Sequence, residues 1–144
     1  MEIKNNILIS VLNKDIKNGT IEIPGNVTKI GNWAFCKCKE LERIIIPNNV
    51  TSIGDSAFYG CCGLTSITIP DSVMSIGEWA FFNCSGLKNI SIGSSVVFIK
   101  RETFLFCEKI KSFSIPNVAL SIDPEAFLSC ISLEKFEIRD SIGI

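Results

Sequence analysis

The hydrophobic positions of this chain recur every 23 residues. Equivalent positions in successive units form columns, which keep the same spacing with no insertion. Three columns are the most regular: Phe35, Phe58, Phe81, Phe104 and Phe127; Cys38, Cys61, Cys84, Cys107 and Cys130; and Ile30, Ile53, Ile76, Ile99 and Ile122. A unit this short cannot bury its own apolar face, so neighbouring units must cover it. The pattern therefore predicts a solenoid whose core is built from stacked columns of identical side chains.

The spacing of apolar residues within one unit predicts its elements. Ile44 and Ile46 stand two residues apart and are followed by Pro47, which has no N–H to donate, so this piece is predicted to be a short strand. Residues 50–54 form a second extended piece that ends in a Gly turn. Residues 57–64 carry apolar side chains at positions i, i+1, i+4 and i+7, a spacing that favours a helical turn or a short helix.

The columns also predict how the chain is divided. Residues 20–138 hold five repeats, at about 21–43, 44–66, 67–89, 90–112 and 113–135, and the start of a sixth. Residues 1–19 are predicted to form an N-terminal cap, as a helix, because apolar residues between positions 5 and 17 have helical spacings and Gly19 follows where a C-cap would be. Residues 139–144 are predicted to be a C-terminal tail. The sixth repeat stops without its Phe or Cys, and such an open end suggests a truncated chain or end-to-end association.

The fourth and fifth repeats depart most from the columns. The substitutions are Gly93 for the Pro, Lys100 and Asp123 for the turn Gly, Thr103 for the Ala, and Ile110 for the Leu. In the fifth repeat, Val118 and Ala119 stand on either side of the Val position, which suggests a local slip. These two repeats are therefore expected to be the less regular part of the solenoid.

Composition excludes several classes of function. The 144 residues are 47% hydrophobic and 20% charged, which is typical of a folded protein. The 14 basic and 15 acidic residues are scattered, so neither nucleic acid nor an anionic membrane is expected as a partner. No stretch is long enough to insert into a bilayer. The apolar run at residues 7–12 is too short for a secretory signal, so no signal peptide is expected in this chain.

Catalysis and cofactor binding are not expected either. The chain has no histidine, which removes the commonest general base and metal ligand. Five of the seven cysteines are the repeat column and are predicted to be buried, unreactive thiols. Cys36 and Cys62 lie beside two of them, at Cys36-Lys37-Cys38 and Cys61-Cys62. Their spacing is not the C-x₂-C of structural zinc sites, so we predict no metal site, and a zinc or redox sensor is kept only as an alternative.

The repeat resembles a known family. The pattern I-x-I-P-x-x-V-x-x-I-G-x-x-A-F-x-x-C-x-x-L, over roughly residues 20 to 138, is similar to the 23-residue leucine-rich repeats of the BspA-like surface proteins. The resemblance implies an α/β repeat solenoid, a right-handed leucine-rich-repeat horseshoe with a parallel β-sheet on its concave face and short helical turns on the convex side. Many members resemble adhesins, which implies a secreted or cell-surface protein; a cytoplasmic location is the alternative.

Two surfaces are candidates for partner binding. On the concave face this fold leaves a ribbon of outward positions, flanked by Glu22, Lys135 and Glu137 and able to donate and accept hydrogen bonds. The ribbon consists of Arg43, Ile45, Ser66, Thr68, Asn89, Ser91, Ser112 and Ser114. It is equally compatible with a sheet face that is merely soluble. The second candidate is the apolar pair Val97 and Phe98, in a group that also includes Met74 and Leu120.

Further apolar residues lie just after the Phe column, at Phe82, Leu105, Phe106 and Leu128, and Trp33 and Trp79 share another column. The column that contains Phe82 is expected to be partly buried under neighbouring turns.

These observations favour a non-catalytic protein–protein interaction module with an unidentified protein ligand. By resemblance, that ligand would be a host or cell-surface protein bound in the manner of an adhesin. The alternative is a structural solenoid that stacks end to end. The chain is accordingly expected to be a monomer or to self-associate weakly through its ends.

Overall fold

The computed structural model describes residues 1–116 and 120–138. The chain winds into a solenoid of parallel strands with one short 3-10 helix, Asn13–Asp15. In chain order the strands are β1 (Glu2–Lys4), β2 (Ile7–Ser10), β3 (Thr20–Glu22), β4 (Lys29–Ile30), β5 (Arg43–Ile45), β6 (Ser52–Ile53), β7 (Ser66–Ile69), β8 (Ser75–Ile76), β9 (Asn89–Ile92), β10 (Phe98–Ile99), β11 (Ser112–Ile115), β12 (Ser121–Ile122) and β13 (Lys135–Ile138).

The strands form two rows that run along the solenoid. The odd-numbered strands from β3 to β13 make the first strand row, and the even-numbered strands make the second strand row. Neighbours within a row are parallel and offset by one repeat, so that Ser66 lies opposite Asn89 and Ile67 opposite Ile90. In this part of the chain two neighbouring pairs lack strand pairing, β5 with β7 and β8 with β10. The predicted parallel-strand solenoid is therefore confirmed.

Stacked columns form the core, as the sequence predicts. Phe58 lies 5.1 Å from Phe81, centroid to centroid, with the ring planes 2° apart. Phe81 stacks on Phe104 at 5.2 Å in the same way. At these centroid distances, aromatic pairs stabilise the fold by more than the burial of their surface alone. The Phe, Cys and Ile columns are buried in one continuous cluster, apart from their half-buried last members in the fifth repeat.

The predicted N-terminal helix is wrong. Residues 2–10 form an antiparallel hairpin of β1 and β2, whose turn places Asn5 and Asn6 at φ values of 53° and 62°. Leu8 pairs with Ile30 and so continues the Ile column. A helix would have left the backbone groups at the edge of β4 without partners, whereas an extended β2 pairs with them. Tertiary pairing thus overrides the local helical spacing.

The helical turns expected on the convex side are not confirmed. Phe58 and Gly60 donate their backbone N–H groups to the next coil, at 2.8 Å each. The residues between and after them, Tyr59 and Cys61, donate within their own coil, at 3.1 Å each. This alternation makes a third inter-coil ladder out of tight turns. Turns that pair directly can keep the strand spacing of about 4.8 Å, whereas a row of α-helices, each about 10 Å across, requires the coils to spread apart on that side.

The lower regularity expected of the fourth and fifth repeats stays a prediction, because the strand rows are also interrupted in earlier repeats. The second strand row is interrupted between β8 and β10, next to Lys100 in the glycine column, and the first strand row is interrupted between β5 and β7. The slip expected at Val118 and Ala119 lies outside the described residues.

Candidate functional site

The first strand row brings eight of the ten predicted binding residues together. Because strand side chains alternate, every second residue of β5, β7, β9 and β11 points away from the core. The register aligns the residues of β7, β9 and β11 in two parallel lines on one face, and those of β5 border the same cleft as Ser66 and Thr68. We call this face the ribbon: one line is Arg43, Ser66, Asn89 and Ser112, and the other is Ile45, Thr68, Ser91 and Ser114. All eight are exposed or half-buried.

Most hydroxyl groups of the ribbon have no partner within the chain. Ser112 Oγ donates to Asn89 Oδ1 at 2.9 Å. The other four hydroxyl side chains, at Ser66, Thr68, Ser91 and Ser114, make no hydrogen bond among the described residues. Each hydroxyl can donate one hydrogen bond and accept two. The ribbon therefore offers a regular array of unused donors and acceptors, one coil apart.

Arg43 and Ile45 distinguish one end of the ribbon. Ile45 is 84% exposed, the largest value among the apolar side chains exposed in the described part of the chain. It borders a cleft of about 720 Å³ whose lining includes Ile21, Glu22 and Pro47. On its other side, where β5 and β7 do not pair, it borders a second cleft of about 310 Å³. Ile45 is thus an apolar side chain standing between two clefts.

Val97 and Phe98 do not join the ribbon. They lie at and beside β10, in the second strand row, where Val97 is 65% exposed and Phe98 44% exposed. Met74, 61% exposed, occupies the corresponding position one coil earlier. The two predicted surfaces are therefore separate faces of the solenoid, one polar and one apolar.

An aromatic line on the turn side was only partly anticipated. Trp33, Tyr59, Phe82 and Phe106 contact one another in that order, with centroids 5.3, 4.7 and 5.7 Å apart. Tyr59 and Phe82 are half-buried, as expected for Phe82, but Phe106 is exposed. Their positions in adjacent columns were visible in the sequence. Their contacts depend on the turn geometry, which was predicted to be helical.

The thiols of the cysteine column form hydrogen bonds to the backbone. Each thiol donates to a backbone carbonyl of the preceding coil, for example Cys61 Sγ to Phe35 O at 3.0 Å and Cys84 Sγ to Phe58 O at 3.1 Å. Burial raises the pKa of both thiols, so they stay protonated. A protonated thiol is a poor nucleophile and a poor metal ligand. All seven cysteines are free.

Among residues 1–116 and 120–138, no group of three or more Cys, Asp or Glu side chains is placed to hold a metal ion. Within the same ranges, no helix has the length and apolar character needed to cross a bilayer.

Solved structures similar to this chain are bacterial leucine-rich repeat proteins. A protein from Eubacterium ventriosum is 30% identical with a TM-score of 0.87, and the match covers 94% of this chain and 37% of that one. A protein from Bacteroides ovatus is 33% identical with a TM-score of 0.62, over 85% and 38%. The pneumococcal vaccine antigen PcpA is 25% identical with a TM-score of 0.71, over 85% and 31%. The chain thus spans less than two fifths of the length of these three proteins.

A comparison with curated proteins finds no match. The family described as "BspA type Leucine rich repeat region" matches in six copies over residues 6–134. This range includes the second strand row, the first strand row as far as β11, and nearly all of the described core. The chain therefore belongs to the BspA-type leucine-rich repeat family.

Proposed function

We propose that this chain is a non-catalytic module that binds a host or cell-surface protein through the ribbon. The observation that carries the proposal is the ribbon's array of hydroxyl groups without internal partners, which ends at the exposed Arg43 and Ile45. Such an arrangement combines polar groups that give orientation with an apolar anchor beside clefts, as protein interfaces do. The membership in a repeat family with antigen-type relatives supports a protein ligand.

The charged residues at the Arg43 and Ile45 end of the ribbon indicate which charged groups the partner carries. Arg43 forms no ion pair among the described residues, so its guanidinium is available for a carboxylate. Glu22, one coil away on β3, is exposed and is available for a cation. A partner that places an apolar side chain against Ile45, with an acidic group toward Arg43, would complement this end of the ribbon.

The test places two arginines in the middle of the ribbon, in the double variant Ser91→Arg, Ser114→Arg. Beads coated with the chain are incubated with cultured host cells, and the bound beads are counted. We expect at least tenfold weaker retention. The two arginines would keep a partner from packing closely on the ribbon, and a loss of only about 1.4 kcal/mol of binding free energy lowers the affinity tenfold. Ile45→Ser, which adds no bulk, is expected to weaken retention as well.

The matched control adds the same charge to the second strand row, in the double variant Ser75→Arg, Ser121→Arg. Both serines are exposed and stand on the strands either side of Phe98. Retention equal to that of the unmodified chain is expected. If the ribbon variant binds normally while this control loses binding, the partner uses the face of Val97 and Phe98 and the proposal for the ribbon is rejected.

A structural role through end-to-end stacking is the second candidate. It is supported by β13, which pairs only with β11 among residues 1–116 and 120–138. Its Phe136 is exposed beside this edge. An open strand edge with an apolar side chain is a template for pairing with another chain. Stacking predicts that the sedimentation coefficient rises with protein concentration. In the variant Phe136→Lys the coefficient should no longer depend on concentration. Sedimentation as a strict monomer at high concentration would rule it out.

A further inference from the structure

The chain carries five triplets of the form Asn-x-Ser or Asn-x-Thr in which x is not proline. This triplet is the acceptor motif for N-linked glycosylation. The five are Asn18-Gly19-Thr20, Asn26-Val27-Thr28, Asn49-Val50-Thr51, Asn83-Cys84-Ser85 and Asn89-Ile90-Ser91. They take in five of the eleven asparagines of the chain. Whether a triplet can carry a sugar in the folded protein depends on where its asparagine lies.

The five asparagines are all exposed, but two of them are engaged by neighbouring coils. Asn49 Nδ2 donates to the carbonyl of Gly25. Asn89 lies on β9 within the ribbon, where its Oδ1 accepts from Ser112 Oγ at 2.9 Å. A sugar on Asn49 would replace one of the two hydrogens of that amide nitrogen and crowd the coil below. On Asn89 it would stand among the side chains of the ribbon.

The other three asparagines have side-chain amides without a hydrogen-bond partner among the described residues, and all three lie in turns. Asn18, with φ of 51°, lies in a turn closed at both ends by hydrogen bonds between Lys17 and Thr20, of 2.9 and 3.0 Å. Asn26 lies in the turn closed by the N–H of Val27 on the carbonyl of Pro24, at 3.1 Å.

Asn83 lies at a turn of the third ladder, with φ of 55°. In two of the three triplets the middle residue is fully buried, Val27 beside Asn26 and Cys84 beside Asn83. That buried neighbour anchors the turn in the core, while the asparagine next to it is exposed to solvent. A sugar can therefore be added at these positions without displacing a core residue or breaking a hydrogen bond.

We propose that Asn18, Asn26 and Asn83 are acceptors for N-linked oligosaccharides and that Asn49 and Asn89 remain unmodified in the folded protein. The co-reactant is an oligosaccharide carried on a lipid pyrophosphate and delivered by a membrane-bound transferase. The Asn Nδ2 atom attacks the anomeric carbon of the sugar, so that an N–C bond forms and the C–O bond to the pyrophosphate breaks. The lipid pyrophosphate leaves, and one amide proton passes to a base of the transferase.

The three acceptors avoid the ribbon. Sugars at these turns would cover the corners and the turn side of the solenoid and leave the first strand row bare, whereas a sugar on Asn89 would stand on it. The proposal is independent of the proposed function, because it concerns which turns are modified and not what the ribbon binds.

The test expresses the full chain behind a cleavable leader in a eukaryotic secretory host and examines the secreted, folded protein. Peptide N-glycosidase digestion, gel mobility and mass spectrometry count the glycans. We expect three glycans, and we expect each of the single variants Asn18→Gln, Asn26→Gln and Asn83→Gln to lose one. Asn49→Gln and Asn89→Gln are expected to leave the pattern unchanged.

Variants of the hydroxyl residue provide a second measurement that leaves the asparagines in place. Thr28→Ala removes the triplet of Asn26 and should lose one glycan, whereas Thr28→Ser keeps the triplet and should keep it. Secreted protein whose mobility does not change on digestion would overturn the proposal. So would a glycan that disappears in Asn49→Gln or Asn89→Gln.

Discussion

At the scale of single residues, a missing Cβ atom decides how closely two coils approach. A Cβ on Gly54 would lie 2.6 Å from the backbone nitrogen of Asn32, and one on Gly77 would overlap the backbone nitrogen of Asp55. This close approach allows the N–H of Gly77 to donate to Ile53 O at 2.8 Å. Lys100 occupies the same column and carries a Cβ. The second strand row is interrupted there, although Asp123, which also carries a Cβ in this column, keeps the equivalent bond, with its N–H donating to Ile99 O at 2.9 Å.

Gly77→Ala is predicted to destabilise the chain by about 1–3 kcal/mol, because the new methyl group must push two coils apart. Urea unfolding followed by tryptophan fluorescence measures the free energy. Gly25→Ala is the matched control: a Cβ there meets nothing within 4 Å, so its stability is expected to stay within about 0.5 kcal/mol. Equal stability of the two variants would contradict the role given to the glycine column.

At the scale of elements, the two strand rows are interrupted at different places. The first strand row is interrupted between β5 and β7 and runs unbroken from β7 to β13, and the second is interrupted between β8 and β10. The N–H groups of Met74 and Gly77 donate to the preceding coil, at 2.9 and 2.8 Å. Their counterparts one coil later, Val97 and Lys100, make no such backbone bond within the described residues. Between the third and fourth repeats, the coils are therefore joined by strand hydrogen bonds in the first strand row but not in the second.

Amide hydrogen exchange is predicted to report this difference. The amide of Lys100 should exchange much faster than that of Gly77, since an N–H without an acceptor needs no opening of the structure to exchange. Nuclear magnetic resonance of the labelled chain measures both rates. Lys100→Gly, which restores the column, is expected to slow exchange at position 100. Equal protection of the two amides in the unmodified chain would show that the interruption has no energetic consequence.

At the scale of the whole molecule, the core is one continuous cluster that contains a line of thiols. Burial raises the pKa of Cys38 to about 11 and that of Cys130 to about 12. The pKa values of Cys61 and Cys84 are also raised by burial. In the unfolded chain a thiol ionises near pH 8.5. Above that pH the unfolded state therefore binds fewer protons than the folded state, and stability must fall as pH rises.

The thiols accordingly add no pH dependence to the free energy of unfolding below about pH 8, and we predict that this free energy falls between about pH 8.5 and 11. Cys61 and Cys84, the most deeply buried of the four, each contribute a slope of about 1.4 kcal/mol per pH unit in this window. Urea unfolding at pH 8 and pH 10, with reductant present, measures the loss. A Cys61→Ala, Cys84→Ala variant should show a shallower fall, which separates the thiols from lysine and tyrosine. Identical slopes in the two proteins would contradict the assignment.

Sequence reasoning reached the fold and most of the candidate site for an identifiable reason. A strict 23-residue period leaves few ways to bury Phe58 and its counterparts, and stacking in register is the one that does so. The same register puts Ser66, Asn89 and Ser112 on one line, so the ribbon follows from the period and the alternation of strand side chains. The unpaired state of Arg43 and the clefts beside Ile45 do not follow, because they depend on where neighbouring strands separate.

The sequence by itself determined the repeat, the buried columns and the face on which the ribbon lies, since each depends only on periodicity and burial. Only the tertiary structure decided that residues 2–10 form a hairpin and that residues 57–64 form turns. In both segments the apolar spacing suits a helix, and the competing state is a set of backbone hydrogen bonds to the adjacent coil. Those bonds keep neighbouring coils at the strand spacing of about 4.8 Å, whereas helices about 10 Å across would force the coils apart.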